Sequence, residues 1–565
     1  MVFFLIFIFE GLGIREGRTI SRFILYLAPV ILYGIDYWNK KQIVLPFKLT
    51  VLFILFLIGI SLSTLHAANI QSAFDHQLYY ISLILLSFYV INHRSEIEYN
   101  IPYFIVVCSV SVLTYALFIN FFLPEMWSEL LPVTGFQFVY GSKELFSHYP
   151  IGAFLLIPLT YLYITVRQKP TWIVTLLALG LFIVMIFSFL RASYVAFLSV
   201  IVIDTVFILQ KKKRISFIHK AIILGTILTV LFFFLSITAF KMRIPFFSEI
   251  NNRLRSDISL LSHKSADSSR VEFISQSVRA IKNDPVFGMG SYNFYYASQA
   301  QASSYDEITG TSHNIFIDIW VENGFVAFVA FTCVIIIFFL NTTIYLRKYN
   351  QSDYRLFSIL VAMLILFQLG HYHKMYFMIL LFFTIFMLLY KEKDHLVDSH
   401  FLLFKGSIVV AVIGLLLALS YMLSSNGNYL RALTFYPIAI EPNLRLLYQY
   451  RDASDISQAD IQAEKISYLY PKEPDILEIL GDYYRSTTRH DTALSYYYSA
   501  LSLSPHDLSF IKNTYLEMEA TAGKEQADLY LQKHFSKYQI RYRNPPYEGH
   551  EWFYDWCQEN DIPCD

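Results

Sequence analysis

The 565-residue chain has the composition of a membrane protein rather than that of a soluble globule. Hydrophobic residues make up 55% of it and charged residues only 16%, so most of the chain cannot face water. Lys plus Arg and Asp plus Glu each total 44. This balance excludes nucleic acid as the expected partner, because a phosphate-binding surface needs a basic excess.

Twelve apolar stretches have the length that a helix needs to cross the hydrocarbon core of a bilayer, about 17 to 25 residues. They lie at about 20–38, 48–66, 74–92, 101–123, 149–166, 171–189, 192–210, 217–239, 322–346, 355–371, 373–391 and 404–423. Residues 1–9 are apolar as well and are a doubtful thirteenth span. The sequence therefore predicts an all-α fold, a polytopic transmembrane helical bundle of about 12 or 13 spans.

The basic residues in the short connections predict how the spans are oriented. One set of connections holds 17 Lys and Arg residues and the opposite set only six, and the richer side is cytoplasmic. The loop 241–321 and the tail 424–565 then lie on the exoplasmic side. We therefore divide the chain into N-terminal spans at 1–240, an exoplasmic catalytic loop at 241–321, C-terminal spans at 322–423 and a soluble domain at 424–565.

Charges inside the spans indicate whether the chain is a transporter, because ionisable groups are costly in lipid and mark ion pathways. They are sparse here. Asp204 is the clearest intramembrane acid, and it lies about two helical turns from the basic run at Lys211, within reach of the cytoplasmic interface. The spans lack the repeats and paired broken helices of secondary transporters. A function at the exoplasmic face is favoured, and a non-enzymatic translocator stays the alternative.

The loop 241–321 is too long for a simple connection, and loops of more than about 15 residues are usually functional or disordered. Its pattern indicates ordered structure. Apolar residues recur at helical spacing after Arg270, and Asp284-Pro285 ends that helix. Gly288-Met289-Gly290 predicts a tight turn. Ser312-His313-Asn314 then lies just before the amphipathic run that leads into the next span.

Several of these motifs, taken in order, carry a resemblance to a known family. They are Arg270 opening an amphipathic helix, Asp284-Pro285, Gly288-Met289-Gly290, Ser312-His313-Asn314 and Glu322-Asn323-Gly324, with Arg191 at the exoplasmic end of an earlier span. Together they resemble the signature loop of the O-antigen ligase and O-antigen polymerase superfamily, which are bacterial integral-membrane glycosyltransferases. The resemblance covers roughly residues 150–390.

The resemblance implies transfer of a glycan from an undecaprenyl-diphosphate carrier to an acceptor hydroxyl. The reaction would take place at the outer face of the bacterial cytoplasmic (inner) membrane, without metal or other cofactor. The predicted location supports this chemistry, because an exoplasmic site cannot use cytoplasmic nucleotide sugars and needs a donor that is already activated and translocated. A lipid diphosphate meets both conditions. Direct displacement on an alpha-linked carrier would invert the anomeric centre.

Three residues are the predicted catalytic set. Fixed guanidinium groups stabilise a departing diphosphate, so Arg191 and Arg270 are predicted to form a clamp. His313 is the predicted base for the acceptor hydroxyl, since an imidazole titrates near neutral pH. Each has an alternative: contact with lipid headgroups for Arg191, a surface ion pair for Arg270, and a cap on the following helix for His313.

The predicted substrate-binding residues are Asn314, which would orient the ring of the base or the sugar, and a further set of weaker candidates. Gly288 and Gly290 belong to this set, although both are more often turn residues than phosphate cradles. His371, His373 and Lys374 form a second exoplasmic cluster that would assist at the diphosphate or the acceptor, with an interfacial turn as the favoured alternative. No metal is predicted, because residues i and i+2 point apart on a helix and no Cys or carboxylate completes a tetrahedral set.

The tail, with 13 basic and 21 acidic residues, contains a pattern typical of one tetratricopeptide repeat. Pro471 lies 34 residues before Pro505, which is the period of that repeat. The other matching positions are Leu477, Leu480, Gly481, Tyr484, Ala493, Tyr497 and Ala500. An ordinary helical hairpin is the alternative. Beyond this repeat, Cys557 and Cys564 have a spacing that allows a disulfide in an oxidising compartment.

These observations predict a membrane glycosyltransferase of cell-surface polysaccharide biosynthesis. A ligase acting on a lipid, glycan or protein acceptor is placed slightly ahead of a polymerase, because an acidic helical-repeat groove would suit a protein or glycan partner better than anionic lipid. A polysaccharide or lipid-carrier translocator and a scaffold are the non-enzymatic alternatives. Membrane lipid is an expected partner in every case.

Overall fold

A computed structural model describes residues 17–39, 41, 43–122, 150–168, 171–187, 191–212, 267–302, 308–346, 351–369, 371–390, 396–398, 400–538 and 556. Apart from one short two-stranded ribbon, the regular structure of these residues is helical. The prediction of an all-α fold is therefore confirmed. The ribbon joins β1 (Val44–Pro46) to β2 (Leu396–Asp398) in antiparallel register.

The helices of the membrane part and its loop follow one another with short connections where the chain is described. They are α1 (Gly17–Trp38), α2 (Phe47–Leu65), α3 (Ile70–Asn92), α4 (Arg94–Phe122), α5 (Pro150–Gln168), α6 (Trp172–Phe187), α7 (Arg191–Lys212), α8 (Asp267–Asn283), α9 (Phe294–Gln301), α10 (Ile315–Leu346), α11 (Gln351–Leu369), α12 (Tyr376–Leu389) and α13 (His400–Ser425), with a 3₁₀ turn at His371–Lys374.

Six helical segments in the described part of the chain are long and apolar enough to cross a membrane. They are Thr19–Trp38, Phe47–Leu65, Ile70–Asn92, Arg94–Thr114, Ile315–Leu340 and Leu402–Ser425. Shorter apolar helices in α5, α6, α7, α11 and α12 coincide with further predicted spans. The predicted span at 217–239 and the stretch 1–9 lie outside the described residues. The chain is a multi-pass helical membrane protein.

The chain divides into two compact units that interleave along the sequence. Unit 1 comprises Met1–Leu25, Leu86–Val271 and Ile337–Lys393. Within it, the Arg94 guanidinium donates hydrogen bonds to the carbonyls of Met387, at 2.9 Å, and Tyr390. Because the last carbonyls of a helix have no partner inside that helix, this contact caps α12 with a side chain of α4.

Unit 2 comprises Tyr26–Leu85, Glu272–Ile336 and Asp394–Asp565. Within this unit, α2 and α10 approach closely at Gly59. A Cβ atom on Gly59 would lie 2.5 Å from the backbone nitrogen of Ala327, so a larger residue would force the two helices apart. Close approach at small residues is the usual way in which membrane helices gain packing energy, since lipid gives no hydrophobic drive for association.

The tail in unit 2 is a series of helices in which each packs against the next. They are α14 (Tyr429–Phe435), α15 (Ile440–Asp452), α16 (Ile456–Leu469), α17 (Pro474–Ser486), α18 (His490–Leu503), α19 (Leu508–Ala522) and α20 (Lys524–Tyr538). A Cβ on Gly481 of α17 would lie 2.5 Å from the ring of Tyr497 of α18. The pattern thus forms a close helical pair, and its assignment as a tetratricopeptide repeat stays a prediction. Cys557 and Cys564 lie outside the described residues.

Glu473, which precedes α17, joins the tail to the rest of unit 2. Its Oε1 accepts hydrogen bonds from the hydroxyl of Tyr296 in α9, at 2.8 Å, and from Nδ2 of Asn69, at 3.2 Å. Burial of the carboxyl raises its pKa to about 7, because the charged form is poorly solvated. The tail is therefore fixed to the segments next to the membrane spans through a buried carboxyl group.

Candidate functional site

The Ser312-His313-Asn314 motif forms the turn that leads into α10. His313 has a φ of 62°, which places its backbone in the left-handed region that residues other than glycine seldom occupy. The His313 N–H donates to Oγ1 of Thr311 at 3.0 Å. The imidazole is half-buried, and its ring stacks on Phe273 of α8 with 5.6 Å between centroids and 23° between planes.

Asn314 caps α10. Its Oδ1 accepts hydrogen bonds from the N–H groups of Phe316, at 3.0 Å, and Ile317, at 3.2 Å, two of the backbone donors that have no partner inside a helix at its first turn. Asn314, rather than His313, therefore caps this helix. The predicted contact of Asn314 with the substrate stays a prediction. Because Oδ1 caps the helix, the amide nitrogen would make that contact.

Asp318, one turn into α10, holds the residues that precede His313. Its Oδ2 accepts from the hydroxyl of Thr311, and its Oδ1 accepts from the N–H of Ser312 at 2.7 Å and from the Ser312 hydroxyl. Asp318 is only 1% exposed. This carboxylate organises the turn from inside the protein.

A chain of side chains extends this order to α8 and α9. Ser298 of α9 donates from its hydroxyl to Oε1 of Gln276 in α8 at 2.8 Å, and its Oγ accepts from the N–H of Thr309 at 2.9 Å. Oγ1 of Thr309 in turn donates to the carbonyl of Thr311 at 3.1 Å. The two loop helices and the His313 turn are thus connected by hydrogen bonds.

The Gly288-Met289-Gly290 and Glu322-Asn323-Gly324 motifs pack directly against each other. Helix α10 breaks at Gly324, where φ is 75° and ψ is 179°, so nearby carbonyls lose their usual helical donors. The segment around Gly288-Met289-Gly290 supplies replacement hydrogen-bond partners for the broken helix. Backbone hydrogen bonds of 2.9, 2.9 and 3.1 Å run from the N–H groups of Met289, Gly290 and Phe325 to the carbonyls of Val321, Glu322 and Val286, respectively.

The glycines in these motifs are required by space and by backbone conformation. Gly288 and Gly290 have φ values of 75° and 94°. A Cβ on Gly288 would lie 2.7 Å from the nitrogen of Gly324, and one on Gly290 would lie 2.5 Å from Cβ of Ala67. The N–H of Gly290 also donates to Oγ of Ser63 at 2.9 Å. These contacts give both glycines a packing role, and their predicted contact with phosphate stays a prediction.

The remaining predicted site residues lie in unit 1. Arg191 is the first residue of α7, and Arg270 lies in the first turn of α8, while the side chains of both lie outside what the structure describes. His371, His373 and Lys374 form the 3₁₀ turn before α12. The ring of His373 makes an edge contact with Phe367 at 6.2 Å between centroids. The convergence of Arg191, Arg270 and His313 stays a prediction.

Comparison with known proteins gives one match. Residues 175–332 match the family model described as O-Antigen ligase. This part of the chain, just over a quarter of its length, is similar to the O-antigen ligase family. The matched range contains Arg191, Arg270, both glycine motifs and His313, and it confirms the resemblance to the O-antigen ligase superfamily. No curated protein and no solved structure matches the chain.

Sequence reasoning missed the buried polar residues that support the turn. Asp318 was not singled out and Thr311 was given no role, although an acid in the apolar run after Asn314 is a recognisable signal, because a buried carboxylate needs donors nearby. Ser63 was missed as well. Its hydroxyl donates to the carbonyl of Glu322, a contact between residues 259 positions apart that no local pattern indicates.

Proposed function

We propose that the protein is a membrane glycosyltransferase of cell-surface polysaccharide biosynthesis that transfers a glycan from undecaprenyl diphosphate to an acceptor hydroxyl. One observation carries the proposal. His313 is held in a defined turn at the start of a membrane-spanning helix, inside the region that matches the O-antigen ligase family. Histidine is the side chain that most often accepts a proton from a reacting hydroxyl.

The proposed step is a direct displacement at the anomeric carbon. The acceptor oxygen forms the new bond to that carbon while its proton passes to the His313 imidazole. The bond from the anomeric carbon to the diphosphate oxygen breaks, and its electron pair leaves with the undecaprenyl diphosphate. Attack opposite the leaving group inverts the anomeric centre. No atom changes its oxidation state in this step, and the proposed mechanism includes no metal or cofactor.

Arg191 and Arg270 are the proposed clamp for the diphosphate, because guanidinium groups bind phosphate oxygens with two parallel hydrogen bonds. Support for Arg270 comes from its place in α8, three residues before Phe273, whose ring stacks on His313. Support for Arg191 comes from the family match that includes it. Asn314, Gly288, Gly290, His371, His373 and Lys374 are retained as proposed substrate-binding residues.

The site is proposed to face the exoplasmic side of the bacterial inner membrane, together with the loop 241–321 and the domain 424–565. The donor would enter sideways from the bilayer and the acceptor from the aqueous side. The fixed attachment of the tail through Glu473 supports a tetratricopeptide-like domain that presents an acceptor or a protein partner near the site. On this ground we place a ligase ahead of a polymerase.

An assay with purified protein tests the proposal. Wild type, His313→Ala and the control His490→Ala would be incubated in vesicles with an undecaprenyl-diphosphate glycan and a panel of lipid, glycan and protein acceptors. His490 pairs with Glu517 in the tail and should leave the rate unchanged. We expect product from wild type and His490→Ala, and a loss of about 10²- to 10⁴-fold in His313→Ala. Equal product from all three would refute the assignment of the base.

The same assay separates the alternatives. Extension of the donor glycan on a second carrier-linked glycan, without transfer to any other acceptor, would identify a polymerase. No transfer to any acceptor, combined with movement of the labelled carrier across the vesicle membrane, would identify a translocator and overturn the enzymatic proposal.

A further inference from the structure

The backbone of His313 has a conformation that its own side chain does not favour. Its φ of 62° lies in the left-handed region, where a non-glycine residue persists only if the surrounding structure holds it. An imidazole that takes a proton from an acceptor also has to stay within hydrogen-bond reach of it. The residues that hold this turn therefore affect the position of the imidazole during glycan transfer, as well as the stability of the fold.

The Thr311 hydroxyl is the direct support on the N-terminal side of His313. A hydroxyl has one proton to donate and two lone pairs that accept. Because the Thr311 proton is directed to Oδ2 of Asp318, a lone pair of the same oxygen is left for the His313 N–H at 3.0 Å. The carboxylate thus determines the direction in which the hydroxyl supports His313.

Asp318 also fixes the residue between Thr311 and His313. Its Oδ1 accepts from both the N–H and the hydroxyl of Ser312, and Oγ of Ser312 accepts from the N–H of Asn314 at 3.2 Å. On the C-terminal side, the cap formed by Asn314 fixes the chain to α10. The backbone of His313 is therefore held on both sides by the first turn of one helix.

The burial and the position of Asp318 both strengthen its hydrogen bonds to the turn. It is 1% exposed, so its hydrogen bonds are shielded from water and hold strongly. It also lies in the first turn of α10, and its N–H donates to the carbonyl of Asn314 at 2.9 Å. A negative charge at the N-terminal end of a helix is stabilised by the helix dipole.

We infer that Asp318 is a positioning residue for glycan transfer: through Thr311 and Ser312 it holds His313 in the left-handed turn from which the imidazole meets the acceptor hydroxyl. This inference rests on the proposed function of His313. Asparagine in place of Asp318 has a single acceptor oxygen and adds two donors. It cannot accept from Thr311 and Ser312 as the carboxylate does, so the turn would lose part of its support while the shape of the side chain is kept.

The test is a double-mutant cycle in the transfer assay with four proteins: wild type, Asp318→Asn, His313→Ala and the double variant. We expect kcat of Asp318→Asn to fall roughly 10- to 100-fold, with KM for the donor unchanged, because a small displacement of a catalytic group costs up to two orders of magnitude. In the His313→Ala background, Asp318→Asn should cause no further loss, since it acts through His313. Thr311→Ser keeps the hydroxyl that supports His313 and should keep activity. Thr311→Val removes that hydroxyl and should lose activity.

The control variant is Asp455→Asn. Asp455 also accepts a hydrogen bond from a backbone N–H, that of Gln458 at 3.2 Å, at the start of tail helix α16. It should leave kcat unchanged. Gel-filtration profiles and melting temperatures check that each variant is folded, and if Asp318→Asn does not fold, the Thr311 pair carries the test.

The outcomes separate the inference from the function on which it rests. If wild type transfers glycan to no acceptor, the proposed function fails. If His313→Ala keeps wild-type kcat, the assignment of His313 as the base is wrong, and the positioning role of Asp318 is wrong with it. If His313→Ala is inactive while Asp318→Asn and Thr311→Val keep wild-type kcat, the function stands and the positioning role is wrong. A further loss from Asp318→Asn in the His313→Ala background would also overturn the positioning role, because it would show an effect that does not pass through His313.

Discussion

The His313 turn and the α17–α18 pair are stabilised in opposite ways. In the tail, Gly481 lets the ring of Tyr497 pack against the backbone, and the buried residues at this contact are mostly apolar, small or aromatic. In the turn, a buried carboxylate and neighbouring hydroxyl and amide groups hold the chain. Apolar packing tolerates small shifts, whereas hydrogen bonds fix directions. The second kind of support suits a residue whose ring has to point at a reacting atom.

The largest effect is expected at Gly324, where the two glycine motifs meet. Its φ of 75° and ψ of 179° are accessible almost only to glycine, and a Cβ would clash with the backbone of Val286 and Phe287. Gly324→Val should destabilise unit 2 by more than about 4 kcal/mol, since backbone strain and overpacking add. The melting temperature in detergent measures this. Gly310→Val, at a glycine with open space around it, is the matched control and should melt like wild type.

A loss of comparable size, limited to the tail, is expected from Tyr497→Ala. Tyr497 is fully buried, and its hydroxyl donates to Asp482 at 2.7 Å. Removing such a ring costs about 3 to 5 kcal/mol. Proteolysis should cut the tail of this variant earlier than that of Tyr468→Ala, whose ring is 85% exposed. Equal cleavage rates would contradict the packing role of Tyr497.

The attachment of the tail through Glu473 predicts a dependence of stability on pH. The carboxyl has a pKa of about 7 in the folded protein and a lower one, near 4.3, when unfolded. The folded state therefore binds more protons between these values, and stability decreases as pH rises from about 4.3 to 7. The decrease reaches up to about 4 kcal/mol, and Glu473→Gln should remove it.

Melting temperatures at pH 5 and pH 8 check this prediction. The difference between Glu473→Gln and wild type should grow in favour of the variant at the higher pH. Glu441→Gln, at an exposed carboxylate of α15, should follow wild type at both values. If the difference in melting temperature between Glu473→Gln and wild type is the same at both pH values, the Glu473 carboxyl is not the source of the pH dependence.

The smallest effect is expected at Phe273, whose ring stacks on the ring of His313. Phe273→Leu keeps an apolar side chain but removes the stacked ring, so the imidazole should gain freedom without a change in the turn. We expect kcat for glycan transfer to fall about tenfold, which corresponds to roughly 1.4 kcal/mol. Ile274→Leu, at a neighbouring side chain that is 44% exposed, should have no effect. Equal kcat values for the two variants would contradict the role of the stack.

Much of the fold follows from local patterns. Apolar length predicts the helices that cross the membrane, because each must satisfy its backbone hydrogen bonds internally. The match of Leu477, Gly481 and Tyr497 to one tetratricopeptide unit likewise predicts a close pair of tail helices, because small residues let two helices approach and aromatic rings fill the groove between them. Gly288-Met289-Gly290 was recognisable as a tight turn, and Glu322-Asn323-Gly324 as the start of a span. That they pack on each other was not, because 32 residues separate Ser291 from Asn323, whose side chains are hydrogen-bonded.

The site was predictable only in part. His313 and its neighbours stand out because the motif resembles a family. Asp318, Thr311 and Ser63 were missed because their roles depend on directional hydrogen bonds that form only after the chain has folded. The left-handed backbone of His313 was also not predicted, since no glycine or asparagine marks that position.

If the His313 imidazole accepts the proton of the acceptor hydroxyl, free imidazole should be able to replace it in a variant that lacks this side chain. His313→Gly removes the imidazole and accepts the left-handed φ without strain, so the turn should be kept. Glycan transfer by His313→Gly should be lost and should return as free imidazole is added, with no such response in wild type. Transfer by His313→Gly at the wild-type rate, or a loss that imidazole does not relieve while the protein stays folded, would contradict this role of His313.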